Sequence, residues 1–330
     1  MILFHSNTES LRLRLGSFMS PSAPTSSRKV GVRSLRKPLM ITFAVVIVLG
    51  GISNGTANAE DLDISHRRAS ERRAFSDNEI RDGFFKTAFH AELQLDAPAE
   101  RVRKFDEPVR IFLVNKGSPD RRSEIAAIVA DIRSRVNHLD VAVTTDRQAA
   151  NFVVTLVSGR HFAGTIRSLY GNERAKRIQQ SLDPQCLSGI GKDSRFRIRR
   201  AEVLLPVDAG DFTFYDCAYE ELLQALGAIN DDRSVPWTMF NDDVQMGFFD
   251  IYDQYLLNIL YDPRIRAGMT KAEVDSLLPD ILTTARAWVA NTNAPRAAEV
   301  GTGTRKAIAQ REPPHRTARG SSARRAILKF

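Results

Sequence analysis

Residues 217–243 read CAYEELLQALGAINDDRSVPWTMFNDD, and this stretch decides the expected fold. Leu222, Leu223 and Leu226 give one side of a helix an apolar character, so a helix is expected over Tyr215–Ile229. Glu220, Glu221 and Gln224 fall on it at i, i+1 and i+4. Glu220 and Gln224 therefore share a face one turn apart, as two ligands of one ion or substrate would. Gly227 comes three residues later and can end the helix with a positive φ. Asn230, Asp231 and Asp232 follow, and no Lys or Arg stands between Asp216 and Asp232. These polar groups lack local basic partners, which points to the edge of a partly buried cleft.

Working outward from this segment, the preceding chain alternates between strand and helix signals. VRIFLV (Val109–Val114) reads as a strand, and Arg121–Val136 as an amphipathic helix with Ile125, Ile128, Val129 and Ile132 inward. Leu139–Thr144 and Phe152–Val157 read as strands, the latter suited to burial on both faces. Glu173–Leu182 reads as helical, and Arg195–Val207 as an edge strand leading to a buried one. Residues 79–95 suit a short helix carrying Ile80, Phe84, Ala88 and Phe89. Beyond the quoted stretch, Phe248–Tyr261 and Lys271–Val289 are expected helices, the second capped by Thr270. The pattern predicts α+β or mixed α/β packing around one core. None of the six histidines lies near another in sequence, and His161 falls in an expected loop.

The two ends differ in character from this core. Residues 1–40 carry seven Lys/Arg against Glu9, and residues 301–330 carry eight against Glu312. Of the net +8, the ends thus hold +6 and +7, which leaves −5 between them. The basic total therefore does not argue for a nucleic-acid partner. Leu39–Ile52 (LMITFAVVIVLGGI) is an apolar run preceded by Arg33, Arg36 and Lys37 and followed by Ala57-Asn58-Ala59. A positive segment, a short apolar core and a small-x-small site make a secretory leader over 1–59, read by the Sec machinery, with Met19 as an alternative start. The expected location is periplasmic or secreted, the alternative being an inner-membrane anchor at 39–52. Membrane contact is expected only through that segment, if it is not cleaved.

Residues 60–104 read as a linker and lead-in helix, 105–290 as the folded domain, and 291–330 as a basic tail without fixed structure. Cys186 lies in a Pro/Gly-bounded loop and Cys217 just before the helix. Two cysteines in an exported chain are expected to form one disulfide, two unrelated buried thiols being the alternative.

The Glu220–Asn230 spacing resembles the metzincin zinc proteases, whose pattern is H-E-x-x-H-x-x-G-x-x-H followed by a Met-turn. Along that pattern Glu220 stands at the first ligand and Glu221 at the general base. Gln224 stands at the second ligand, Gly227 at the turn glycine and Asn230 at the third ligand, with Met239 where the Met-turn falls. All three histidines are missing. Zinc prefers imidazole and thiolate, so an oxygen and amide set implies no zinc, and calcium or manganese if any ion. A broader resemblance covers roughly Pro108 to Leu278, carried by Cys217, EELLQALG, Asn230-Asp231-Asp232, MFND (Met239–Asp242) and LYDPRIRAGMT (Leu260–Thr270). On these residues the chain is similar to domain-of-unknown-function family 2927, a bacterial family common in α-proteobacteria.

The resemblances imply a single α+β, zincin-like domain with a mixed sheet and an active-site-like helix at 215–229. The expected function is that of an exported envelope protein, a degenerate metallopeptidase-like domain that binds a peptide or glycan. The binding residues would be Glu220, Gln224, Asn230, Asp231 and Asp232. One alternative is a hydrolase with Glu221 as general base beside an oxygen-ligated metal. Another is a structural envelope protein held by the Cys186–Cys217 bridge.

Overall fold

Val, Ile and Phe recur through VRIFLVN, VAVT and FVVTLV, and each run forms a strand: β3 (Val109–Asn115), β4 (Val141–Thr144) and β5 (Phe152–Val157). The computed structural model describes residues 60–90, 100–181 and 185–294, and the backbone of two short strands, β1 (Ile2–His5) and β2 (Leu93–Gln94). With β6 (Leu187–Lys192) and β7 (Ile198–Pro206), the strands form one sheet in the order β2-β1-β6-β7-β5-β3-β4. The five strands β3 to β7 make a mixed sheet, in which β4, β3, β5 and β7 run parallel and β6 is antiparallel to β7. The class is α+β, with strands and helices in one domain.

Helices cover both faces. On one side lie α2 (Asp77–Phe89), α3 (Arg122–Arg135), α6 (Asp211–Ala225), α7 (Ile251–Leu260) and α9 (Leu278–Thr292), which with the sheet enclose the main core. Helix α7 is buried along its whole length, because it runs through the middle of this layer. On the other side α4 (Gly159–Tyr170) and α5 (Asn172–Ser181) close a smaller cluster, in which Phe162, Ile166 and Ile178 meet Val157, Leu187 and Leu204. Strand β5 serves both sides: Phe152, Val154 and Leu156 face the main core and Val157 the second cluster.

Several boundaries differ from the sequence expectation. Cys186 is followed at once by β6 where a loop is expected, and Cys217 lies within α6 instead of before it. Strand β7 sits between β5 and β6 and is no edge. The expected 215–229 helix begins one turn earlier, at Asp211, and stops at Ala225. Lys271–Val289 is broken into α8 (Lys271–Asp275) and α9, with Pro279 in the first turn of α9, where a missing amide costs nothing. Thr270 caps α8 in a reciprocal box with Glu273. His161 lies on the exposed first turn of α4, not in a loop.

Within 60–104, α1 (Leu62–Ser70) and α2 are formed, and Val102, Arg103 and Lys104 are buried. Apart from Ile2–His5, the segment read as a leader lies outside the described residues, as does the tail from residue 295. Among the described residues no helix is long and apolar enough to cross a membrane. The chain divides into two units, Met1–Asn293 and Ala294–Phe330.

Candidate functional site

Helix α6 starts after Gly210, whose φ of +94° turns the chain out of β7. Its inner face lies on β6 and β7, and Cys217 closes a disulfide with Cys186, with Cα atoms 5.9 Å apart. About two turns further on, Gln224 is buried against β6, where Ser188 Oγ donates to Gln224 Oε1 at 3.4 Å. Covalent and polar links thus fix which face of α6 meets the sheet.

The far end of α6 is fixed by shape. Gly227 adopts φ +129°, and a Cβ there would come within 2.2 Å of the Arg103 carbonyl oxygen. Tyr261 Oη donates to the Leu226 carbonyl at 2.8 Å. Arg103 in turn donates to the Phe89 and His90 carbonyls at 3.1 and 3.0 Å, closing the C-terminal end of α2. Burial lowers its guanidinium to about 10.

Of the residues singled out in sequence, four come together: Glu220, Glu221, Gln224 and Asp231. Gln224 Nε2 donates to Asp231 Oδ1 at 2.7 Å, so the amide bridges β6 and the loop after α6. Glu221 is buried and Glu220 half-buried beside it. Burial first, then the Glu221, Asp231 and Asp216 carboxylates, push the Glu220 carboxyl well above its ordinary range. Tyr170 at the end of α4 is raised as well, by burial and then by the Glu202 and Glu221 carboxylates. The result is a cluster of carboxylates on α6 and the loop after it, in which burial and like charge favour the protonated form of Glu220.

Asn230 and Asp232 do other work. Asn230 Nδ2 donates to the Lys86 carbonyl at 3.0 Å, and its amide to the Thr87 carbonyl at 3.1 Å, which ties the loop to α2. Asp232 accepts from the Ser234 amide and hydroxyl at 2.9 and 2.5 Å, a local turn. The side chains of Gln224 and Asn230 at the two metzincin-frame positions are therefore engaged inside the fold.

Met239 is buried, and its amide donates to Asp253 Oδ2 at 2.8 Å while Thr238 Oγ1 donates to Oδ1 at 2.5 Å. Asp250 caps α7 by accepting from the Tyr252 and Asp253 amides at 2.8 and 3.1 Å. Burial, then the neighbouring Asp253 charge, holds the Asp250 carboxyl well above its usual range. The Met239 turn is thus a packed corner hung on a buried carboxylate. Among the described residues no group of three or more His, Cys, Asp and Glu is arranged to hold a metal ion.

Sequence reading missed a second place. Where β3, β4 and β7 begin, a cleft of about 620 Å³ opens between the 104–108 segment and residues 261–267. Lys104 lines it, buried, with Nζ donating to the Ile265 and Asp262 carbonyls at 3.0 and 3.5 Å. Burial lowers its ammonium to about 8, against the Asp262 and Asp106 charges that favour it. The available signal was the LYDPRIRAGMT stretch, which forms one wall; nothing local marks Lys104 itself.

No curated protein and no solved structure matches the chain. Residues 77–280 match the family described as "Protein of unknown function (DUF2927)". That match takes in α2, strands β2 to β7, the carboxylate cluster of α6 and the Lys104 cleft, and on its extent the chain belongs to that family.

Proposed function

We propose that the chain is an exported protein of the bacterial cell envelope, periplasmic or secreted, built on a degenerate metallopeptidase-like domain of zincin-like architecture. In this reading it binds a peptide or glycan at the α6 face and performs no zinc catalysis. The observation that carries it is the double engagement of Gln224, by Ser188 and by Asp231. A metzincin needs three ligands free to face one ion; here the second-ligand position is a buried strut. Export is supported by the leader-like sequence and by the Cys186–Cys217 disulfide, which suits an oxidising compartment.

The test is elemental analysis of the purified protein after dialysis, beside binding to soluble murein fragments and to a short-peptide library. No stoichiometric zinc, with ligand binding unchanged in Glu221→Gln, is the expected result. One equivalent of zinc, with a peptidase activity lost in Glu221→Gln, overturns the reading.

The raised Glu220 carboxyl beside Glu221 and Asp231 favours one second reading. There Glu221 is the general base of a hydrolase, with calcium or manganese held by oxygen ligands. One equivalent of either ion, weakened by Glu220→Ala, would select it.

A further inference from the structure

The Lys104 cleft has a charge imbalance that its own fold does not resolve. Each carboxylate lining it has an arginine partner. Asp106 faces Arg197 at 3.4 Å and Arg199 at 3.6 Å, Glu107 pairs with Arg199, and Asp140 is held two-pronged by Arg110 at 2.9 and 3.0 Å. The cations are not matched in the same way. Arg195 and Arg266 line the cleft, are exposed and form no ion pair among the described residues. Arg266 lies within electrostatic reach of Glu273, but that carboxylate is engaged in the cap with Thr270.

Lys104 adds a third positive group with bonding capacity left over. An ammonium has three N–H donors, and two point at backbone carbonyls. Tyr261 lies under it, with Nζ 4.9 Å from the ring centroid. Asp262, the nearest acid behind it, is itself committed to Arg264 at 2.7 and 2.8 Å. Between these cations the walls are apolar: Phe105, Leu139, Tyr261 and Ile265 are all buried core residues with faces on the cleft. A concave, mostly apolar site with a few placed polar groups is the usual form of a small-ligand site.

We propose that this cleft binds an organic anion. Its carboxylate or phosphate group sits among Lys104, Arg195 and Arg266, and its apolar part covers Phe105, Leu139 and Ile265. Lys104 supplies one donor in a place shielded from water, where a charged hydrogen bond counts for more than at the surface. Arg195 and Arg266 each supply several guanidinium donors at the cleft. The site stands apart from the Glu220 face and does not depend on that face binding anything.

Fluorescent titration of the purified full chain tests it. Anilinonaphthalene sulfonate is an anion with an apolar body, and N-phenylnaphthylamine is its near-neutral counterpart. The expected result is saturable binding of the sulfonate, weakened about tenfold or more by Arg195→Ala with Arg266→Ala, while the neutral probe is barely affected. Both arginines are exposed, so an unchanged thermal midpoint certifies that the variant is folded. Hexanoate and hexyl phosphate, tried as competitors, distinguish a carboxylate ligand from a phosphate one, and displacement by either supports the site. Equal sulfonate affinity in the parent and the double variant overturns the proposal. So does equally tight binding of the neutral probe, or displacement by acetate and inorganic phosphate at the same concentrations as the hexyl compounds.

Discussion

Gln224 and Asp231 are joined across the end of α6 by a 2.7 Å hydrogen bond from Nε2 to Oδ1. The pair converts a spacing that looks like a ligand set into a brace between the sheet and the loop that follows the helix.

Gln224→Ala removes that brace and also the acceptor of the Ser188 hydroxyl. Two buried or half-buried polar groups then lose a partner. The expected cost is about 2 kcal/mol, read from urea unfolding. An unchanged midpoint would return Gln224 to the role of a free ligand.

Glu220 has the opposite sign. Its folded carboxyl titrates above the ordinary 4.5, so above that pH the folded state holds more protons than the unfolded one. Stability from this group is complete at low pH and is lost as pH rises through the folded value. Glu220→Gln should therefore raise the thermal midpoint at pH 7 to 8, and the gain should vanish towards pH 4.5. A variant that is less stable than the parent at pH 7 would show that the charge is compensated.

Lys104 gives a second pH signature, at the alkaline end. Its folded value of about 8 lies below the ordinary 10.5, so between those limits the folded state binds fewer protons. The parent should gain on the order of 3 kcal/mol relative to Lys104→Met across that window. Only the slope is diagnostic, because methionine also leaves the Asp262 and Ile265 carbonyls without their donor. Parallel stability curves from pH 7 to 10.5 would mean that Lys104 titrates normally.

Gly227→Ala should be among the most damaging single-methyl changes in the chain. A Cβ would meet backbone at 2.2 Å, in a φ region that alanine rarely adopts. A loss of more than about 2 kcal/mol, or failure to fold, is expected. Gly171 has a positive φ with open space around it, so Gly171→Ala is the matched control and should cost clearly less.

Much of the fold was legible because it follows simple periods. β3, β4 and β5 carry β-branched runs, and α3 has its four apolar residues at helical spacing. Strand β6 was not legible: LSGIGK has two glycines and weak strand propensity, yet all six residues are buried. It is a strand because β7 supplies its hydrogen bonds, a tertiary effect that no local pattern encodes. Helix α4 follows β5 after a single residue, so the apolar run of the strand leaves little room for a separate helix signal. The candidate site divides the same way. Glu220 and Glu221 could be placed on one helix from spacing alone. The seven-residue reach from Gln224 to Asp231 depends on how the chain turns at Gly227. Lys104 was invisible because its partners arrive from residues 262 and 265, more than 150 positions away.

Replacing either cysteine should cost about 3 kcal/mol, since the bond closes a loop with a separation of 31 residues. Non-reducing peptide mapping should recover Cys186 linked to Cys217. Labelling of both as free thiols in the native protein would remove the basis of this expectation.

The same bond has a topological consequence. Strand β7, in the middle of the sheet, lies wholly between Cys186 and Cys217, and so inside a closed covalent ring. The hairpin that leads into it, around Ser194 and Arg195, is exposed. A protease that nicks this hairpin opens the ring without dividing the molecule. The two fragments travel as one on a non-reducing gel and part only when the cystine is reduced.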